Sequence, residues 1–198
     1  MADDVAFDLQ PARAVLADPQ LCNEALLGCI TDVFGERDSD WVSGWLDDTS
    51  RALFGAGTLP LAERAEKLHD LLAGPLALVP DTHDYRALLV EHAERRRRAH
   101  PVLTVAIGYE LARRAGLHVY LGTARGSWWV VLVENHAFVL VGCGCEPPEG
   151  HVRVQLRCPH QLAWALLAQL AQLGPPELAS RAESLLEVLP VCGETAEG

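Results

Sequence analysis

Residues 101–115 constrain the fold of this chain more than any other stretch of its sequence. The side chains from Val102 to Ala112 are apolar on nearly every face of a helix, and the basic pair Arg113 and Arg114 closes the run. Such a helix must be covered on most sides, because exposing that much apolar surface to water costs free energy. The rest of the chain must therefore supply elements that enclose this helix.

Helical patterns precede the buried segment. Apolar residues recur with helical spacing over residues 21–33, 41–54 and 61–72, and glycine or proline follows each pattern. A further helix is expected over residues 83–98. The N-terminal part of the chain therefore predicts a bundle of helices.

Strand patterns follow Gly116. They predict strands over residues 118–121, 128–133, 137–141 and 151–156. Turns are expected at residues 134–135 and 147–150, so that the last two strands would pair as a hairpin. Two amphipathic helices, which carry leucines over residues 162–173 and 178–189, complete the pattern.

These elements together predict an α+β protein. An N-terminal helical bundle packs on a core made of the buried helix and a small antiparallel sheet, and two helices follow. The expected regions are residues 1–78, 79–157 and 158–198. No glycine- and serine-rich linker separates them, so we expect one compact unit.

Charge argues against two classes of partner. The net charge is −11, which would repel nucleic acid unless a basic patch overrode it. Residues 95–98 are four consecutive arginines, but on a helix they point in different directions and Glu91 and Glu94 offset them. No apolar run is long enough to span a bilayer, and the N-terminus is acidic where a signal peptide is basic. We expect no nucleic-acid partner, no membrane partner and a cytoplasmic location.

The ratio of arginine to lysine indicates the type of genome that encodes the chain. Lys67 is the only lysine among 16 basic residues, which is typical of an arginine-rich bacterial genome. Six cysteines without an export signal are expected to be free thiols, and Cys192 is expected to be exposed.

We expect no cofactor. Zinc is the one alternative that the sequence suggests. Cys143, Cys145, Cys158 and His160 offer the four soft or borderline ligands that structural zinc requires. If residues 147–150 close a hairpin, however, Cys158 lies on the order of 15–20 Å along the ladder from Cys145. We therefore expect no zinc site unless that hairpin is absent.

A cysteine-dependent hydrolase or transferase is a second alternative. Its nucleophile would be Cys143 or Cys145, and its base would be His136 or His160. A thiolate is best stabilised at the N-terminus of a buried helix, and the buried helix of this chain contains no cysteine. We therefore favour a binding protein over an enzyme, and the relocated cysteine site stays open as an alternative.

Two segments on either side of the buried helix resemble a known family. Residues 96–104 read Arg-Arg-Arg-Ala-His-Pro-Val-Leu-Thr, and residues 110–119 read Glu-Leu-Ala-Arg-Arg-Ala-Gly-Leu-His-Val. Both resemble the SirB1 family, a bacterial branch of the transglutaminase-like superfamily. The resemblance extends over about residues 21–190 and is specific only within residues 96–119. It implies a transglutaminase-like core.

The departures from the family pattern fall on its catalytic positions. Ser127 stands where the resemblance places a histidine, and Gly142 and Cys143 stand near the acidic position. Residues 101–104 occupy the place that active relatives give to the nucleophilic cysteine. The resemblance therefore implies a retained scaffold without catalytic residues.

We expect, on this basis, a non-catalytic SirB1-type protein that acts as a regulatory module by binding a protein or a small ligand. The alternatives are the relocated cysteine site and a zinc-stabilised interaction module. Trp128 and Trp129 must face opposite sides of a sheet. Trp128 is expected on the cleft side, because it is next to Ser127 and would fill the space of a catalytic histidine; the alternative is that helices cover both sheet faces and both tryptophans belong to the core. The expected binding residues are Ser127, Trp128, Arg125, Thr104, Arg96 and Arg97.

Overall fold

A computed structural model describes residues 8–142 and 152–190 of the chain. These residues form an α+β fold, as the sequence predicts. The α-helices are α1 (Gln10–Leu16), α2 (Asn23–Phe34), α3 (Ser39–Ser50), α4 (Leu61–Ala73), α5 (Val90–Arg96), α6 (Pro101–Arg114), α7 (Pro159–Leu173) and α8 (Pro176–Leu186). The strands are β1 (Val79–Pro80), β2 (Arg98–Ala99), β3 (Val119–Ala124), β4 (Ser127–Glu134), β5 (Ala137–Val141) and β6 (Gln155–Arg157). Short 3-10 helices cover Arg51–Leu53, Ala56–Thr58 and Tyr85–Leu88.

Helix α6 is the predicted buried helix. Pro101 is its first residue, where the missing N–H costs nothing, and His100 caps it by accepting a hydrogen bond on Nδ1 from the Val102 amide at 3.3 Å. Ten of its fourteen residues are buried, including Val105, Ile107 and Leu111. A single buried cluster that includes these side chains runs from Ala12 in α1 to Leu185 in α8.

A four-stranded antiparallel sheet packs on α6. Its strand order is β5-β4-β3-β6. Leu121, Val130 and Val141 form one row across three strands and belong to the cluster around α6. The opposite face carries a smaller apolar cluster of Ala124, Trp129, Val131 and Leu140. The sheet therefore has an inner face toward α6 and an outer face.

The position of the fourth strand corrects the sequence analysis. Strand β6 pairs with β3, in the register Leu121 to Arg157, and not with β5 in a hairpin. Val152 and Val154 pack on the outer-face cluster, so the residues that lead into β6 lie over the outer face. The predicted turn at residues 147–150 lies outside the described residues. The predicted 15–20 Å separation of Cys145 and Cys158 therefore loses its basis.

The predicted helix over residues 83–98 is also shorter than expected. Asp84 accepts a hydrogen bond from the Arg86 amide and begins a 3-10 turn, and extended Leu89 separates this turn from α5. Arg97 ends α5 in a left-handed conformation, with φ of 58°. Arg98 then belongs to β2, which pairs with β1 in parallel.

The arginine run therefore does not form one basic helix face. Arg95 bonds Glu36, and Arg98 bonds Asp81. Arg97 donates to the Leu76 carbonyl oxygen at 3.4 Å. These three side chains tie α5 and β2 to neighbouring segments.

No helix within residues 8–142 and 152–190 is long and apolar enough to cross a membrane.

Candidate functional site

A small cavity lies between the N-terminal half of α6 and the end of the β3–β4 hairpin. Its volume is about 190 Å³. We call it the α6–β4 cavity, and it is lined by Pro101, Val102, Val105, Gly126, Ser127, Trp128, Trp129 and Gly142.

The turn between β3 and β4 sets one wall of this cavity. Arg125 and Gly126 both have positive φ, 51° and 79°, which is the signature of a two-residue type I′ hairpin turn. The turn brings Ser127 opposite Ala124 and starts β4 at the mouth of the cavity. Ser127 therefore lies near the N-terminus of α6.

The two tryptophans of β4 lie on opposite faces of the sheet, as their spacing predicts. Trp128 is partly buried against the cluster around α6. Trp129 is 3% exposed, belongs to the outer-face cluster and donates from Nε1 to the Ala124 carbonyl oxygen at 3.4 Å. A Cβ on Gly142 would lie 2.7 Å from Cζ3 of Trp129, so the indole needs a glycine beside it.

The lining of the α6–β4 cavity is apolar except for one hydroxyl. Its described residues include no cysteine, histidine, aspartate or glutamate. The Ser127 hydroxyl is a weak nucleophile at neutral pH unless a neighbouring base accepts its proton, and the lining residues provide none. The cavity can enclose an apolar group but carries no acid–base pair from these residues.

The structure separates the six expected binding residues. Ser127 and Trp128 line the cavity, and Arg125 lies at the adjacent turn without lining it. Thr104 is 1% exposed, and its Oγ1 donates to the His100 carbonyl oxygen at 3.3 Å, so it belongs to the core. Arg96 and Arg97 are exposed at the end of α5, outside the lining.

The two histidines of the relocated-site alternative lie in different places. His136 is exposed at the turn between β4 and β5. His160 is 7% exposed, and its Nε2 lies 2.9 Å from the Asp18 carbonyl oxygen. Gly142 comes six residues after His136, about 20 Å along an extended chain, and this distance separates His136 from the residue preceding Cys143.

Only two of the four ligands of the zinc alternative, Cys158 and His160, lie within the described residues. Cys158 precedes α7, and its amide donates to the Gln161 side chain at 3.1 Å. The His160 ring contacts the Asp18 carbonyl oxygen in the loop that follows α1, as described above. Cys143, Cys145 and Cys192 lie outside the described residues. Among the residues that are described, no group of three or more metal-binding side chains comes together.

The remaining cysteines have structural surroundings. Cys22 is exposed and accepts a hydrogen bond on Sγ from the Ala25 amide at the start of α2. Cys29 is buried, and burial raises the pKa of its thiol to about 12, with the Asp32 carboxylate acting in the same direction. Neither thiol is activated by a base.

Sequence reasoning did not name six of the eight described lining residues as binding residues. The family resemblance placed residues 101–104 at the nucleophile position and Gly142 near the acidic position, but only Ser127 and Trp128 of the lining were expected to bind. The meeting of the lining residues depends on how α6 crosses the sheet and on the register that sets Gly142 beside Trp129. The signal within the sequence is the family resemblance, which gives residues 101–104, Ser127 and Gly142 the positions of one catalytic site.

No protein-family model, curated protein or solved structure matches this chain.

Proposed function

We propose that this chain is a non-catalytic, SirB1-type protein of the transglutaminase-like superfamily that works in the bacterial cytoplasm by binding a partner protein in the α6–β4 cavity. The observation that carries this proposal is the chemistry of the cavity lining. At the place where the family resemblance puts a catalytic site, the described lining offers an apolar enclosure and one serine hydroxyl. An enclosure of this kind favours binding over bond cleavage.

The size of the cavity favours a protein side chain over a free ligand. Pockets that hold drug-sized molecules measure about 300–1,000 Å³, whereas this cavity measures about 190 Å³. An apolar cavity of about 150 Å³ is large enough for benzene. The α6–β4 cavity therefore suits a single phenylalanine or leucine side chain presented by a partner.

Trp128 in the cavity wall and Arg125 at the adjacent turn supply an anchor for a partner. Aromatic and arginine side chains carry much of the binding energy of protein interfaces. Trp128 is only partly buried, so part of its ring is free to contact a partner. Arg125 is exposed at the turn that forms the rim.

The experiment is a titration of the ¹⁵N-labelled full chain with two capped tripeptides, acetyl-Ala-Phe-Ala-amide and acetyl-Ala-Glu-Ala-amide. The phenylalanine peptide should shift the indole resonance of Trp128, and the glutamate peptide should not. Ser127→Leu, which places an apolar side chain at the cavity mouth, should abolish the shift, whereas Ser127→Ala should keep it. Equal shifts with both peptides, or none with either, would refute the proposal.

One observation keeps the cysteine-dependent enzyme as a second candidate. Gly142 lines the α6–β4 cavity, and Cys143 directly follows it in the chain. Labelling with iodoacetamide at neutral pH, read out by mass spectrometry, separates the two candidates. A non-catalytic protein should label Cys143 and Cys145 no faster than exposed Cys22. Labelling at least tenfold faster, lost in His160→Asn or His136→Asn, would favour the enzyme.

A further inference from the structure

A second, larger concavity lies on α2 between α1 and α3. Its volume is about 540 Å³, within the range of about 300–1,000 Å³ that holds small organic molecules. It shares no lining residue with the α6–β4 cavity. We call it the α1–α3 groove, and its apolar floor consists of Ala12, Val15, Ala25, Gly28, Cys29 and Val33.

Close helix contacts fix the walls of the groove. A Cβ on Gly28 would lie 2.8 Å from Cβ of Ser39, so the glycine lets α3 approach α2. On the other side, the Cys29 Sγ lies 3.9 Å from the Ala12 carbonyl oxygen of α1. The groove is therefore a fixed feature of the three-helix packing.

Four carboxylates line the groove, and no lysine, arginine or histidine is among its described lining residues. Glu24 is neutralised, because Arg114 lies 2.7 Å from its Oε1 and Arg113 lies 3.6 Å from its Oε2. Asp8, Asp32 and Asp40 form no ion pair within the described part of the chain.

The three unneutralised carboxylates gather at one end of the groove. Asp32 lies eight residues after Glu24, about 12 Å further along α2. Its Oδ1 accepts a hydrogen bond from the Ser39 amide at 2.8 Å, which brings the neighbouring Asp40 to the same end. Asp8 falls there too, because α1 runs antiparallel to α2, with Ala12 against Cys29.

Two nearby arginines form no ion pair with these carboxylates within the described residues. Arg181 donates to the Val33 carbonyl oxygen at 3.4 Å, and the Arg37 guanidinium lies 5.5 Å from the centre of the Trp41 ring. Neither residue lines the groove. Within residues 8–142 and 152–190, therefore, no cation pairs with the negative charge at this end of the groove.

We propose that the α1–α3 groove binds an amphipathic organic cation. Its amine or guanidinium group lies among Asp8, Asp32 and Asp40, and its hydrocarbon part lies on the apolar floor toward Ala25. The described lining includes no aromatic ring, so the cationic head is held by charge and hydrogen bonds, which suits a primary amine better than a quaternary one.

The test is isothermal titration calorimetry of the full chain with three probes that separate charge from tail. Octylammonium should bind with one-to-one stoichiometry. Ethylammonium, which has the charge without the tail, and octanoate, which has the tail with the opposite charge, should each bind at least tenfold more weakly. Raising the salt concentration from 50 to 500 mM should weaken octylammonium binding several-fold, because salt screens exposed charges.

Two substitutions locate the site. Asp32→Asn retains an oxygen for the Ser39 amide, and Asp40→Asn removes only charge, so each should weaken octylammonium binding at least about tenfold with little change in melting temperature. The control is Asp70→Asn on α4, outside the groove, which should bind like the native chain.

Three results would overturn the proposal. Octanoate could bind as tightly as octylammonium, which would show that charge does not select the ligand. The Asp70→Asn variant could lose as much affinity as the two groove variants. Finally, octylammonium could bind the full chain only after Phe7→Ser, which removes an apolar side chain without adding charge, and this would show that the segment preceding Asp8 is the occupant.

Discussion

Nε of Arg114 lies 3.0 Å from Oε1 of Glu110, one helical turn earlier in α6, and the Glu110 side chain is completely buried. The same guanidinium donates to the Ser43 carbonyl oxygen at 3.1 Å and bonds the Asp47 carboxylate. Together with its contact to Glu24, Arg114 joins α6 to α2 and α3. The end of the buried helix is thus held by charge, whereas its middle is held by apolar packing.

Arg114→Ala should destabilise the fold by about 1.5–3 kcal/mol, because it removes one of the two arginines that bond buried Glu110 while Arg113 stays bonded to it. Urea denaturation at neutral pH measures the loss. The control is Arg51→Ala, whose partner Asp48 is 74% exposed and whose loss should cost at most about 1 kcal/mol. Equal effects of the two substitutions would contradict the role given to Arg114.

Gly142→Ala should destabilise the fold by about 1–3 kcal/mol, because the new methyl group would overlap the Trp129 ring. Gly44→Ala is the matched comparison. It lies within α3 with nothing within 4 Å of the added Cβ, so it should stabilise the fold by up to about 1 kcal/mol. Thermal unfolding followed by circular dichroism distinguishes the two. A neutral Gly142→Ala would mean that Trp129 does not rest on Gly142.

The Cys29 thiol should resist alkylation in the native chain and react only on unfolding. Because the folded pKa is raised to about 12, the unfolded thiol ionises first as the pH rises above its model value of 9.0. Stability should therefore fall between about pH 9 and pH 12, and Cys29→Ala should reduce that slope relative to the native chain. An unchanged slope would show that the thiol does not contribute to alkaline unfolding.

His100 should make the fold less stable in mild acid. Burial lowers the pKa of its imidazole, although Asp81 acts in the opposite direction, so the unfolded state binds the proton more readily. Stability should fall as the pH drops below about 6.5, the ordinary pKa of histidine. His100→Asn retains a side-chain oxygen that can cap α6 and should flatten this dependence between pH 7 and pH 5. His92, whose pKa burial also lowers, remains in both chains as an internal reference.

The elements whose burial follows from their own residues were predictable. Residues 101–115 form a buried helix because apolar side chains occupy nearly all of its faces, and strands β4 and β5 match the expected segments closely. The side of the sheet that β6 joins was not predictable, because it depends on Val152 and Val154 packing across the outer face. Long-range packing of this kind leaves no local pattern.

The candidate site was predictable only in part. Trp128 reaches the cavity because strand alternation turns it toward α6, whereas Ser127 reaches it because the turn at Arg125 starts β4 at the cavity mouth. Thr104 was assigned to the site from its place near the start of α6, but its side chain faces the core and bonds the helix backbone. The α1–α3 groove gave no signal in the sequence, because Asp8, Asp32 and Asp40 come from three separate segments.

The most direct test of the account compares the affinity of acetyl-Ala-Phe-Ala-amide for Trp128→Ala and for Trp164→Ala, measured by calorimetry on folded full-length chains. Trp164 is 59% exposed on α7 and does not line the α6–β4 cavity. The account predicts at least about a tenfold loss for Trp128→Ala and native affinity for Trp164→Ala. Equal affinity of the two variants would contradict the claim that this cavity is the binding site.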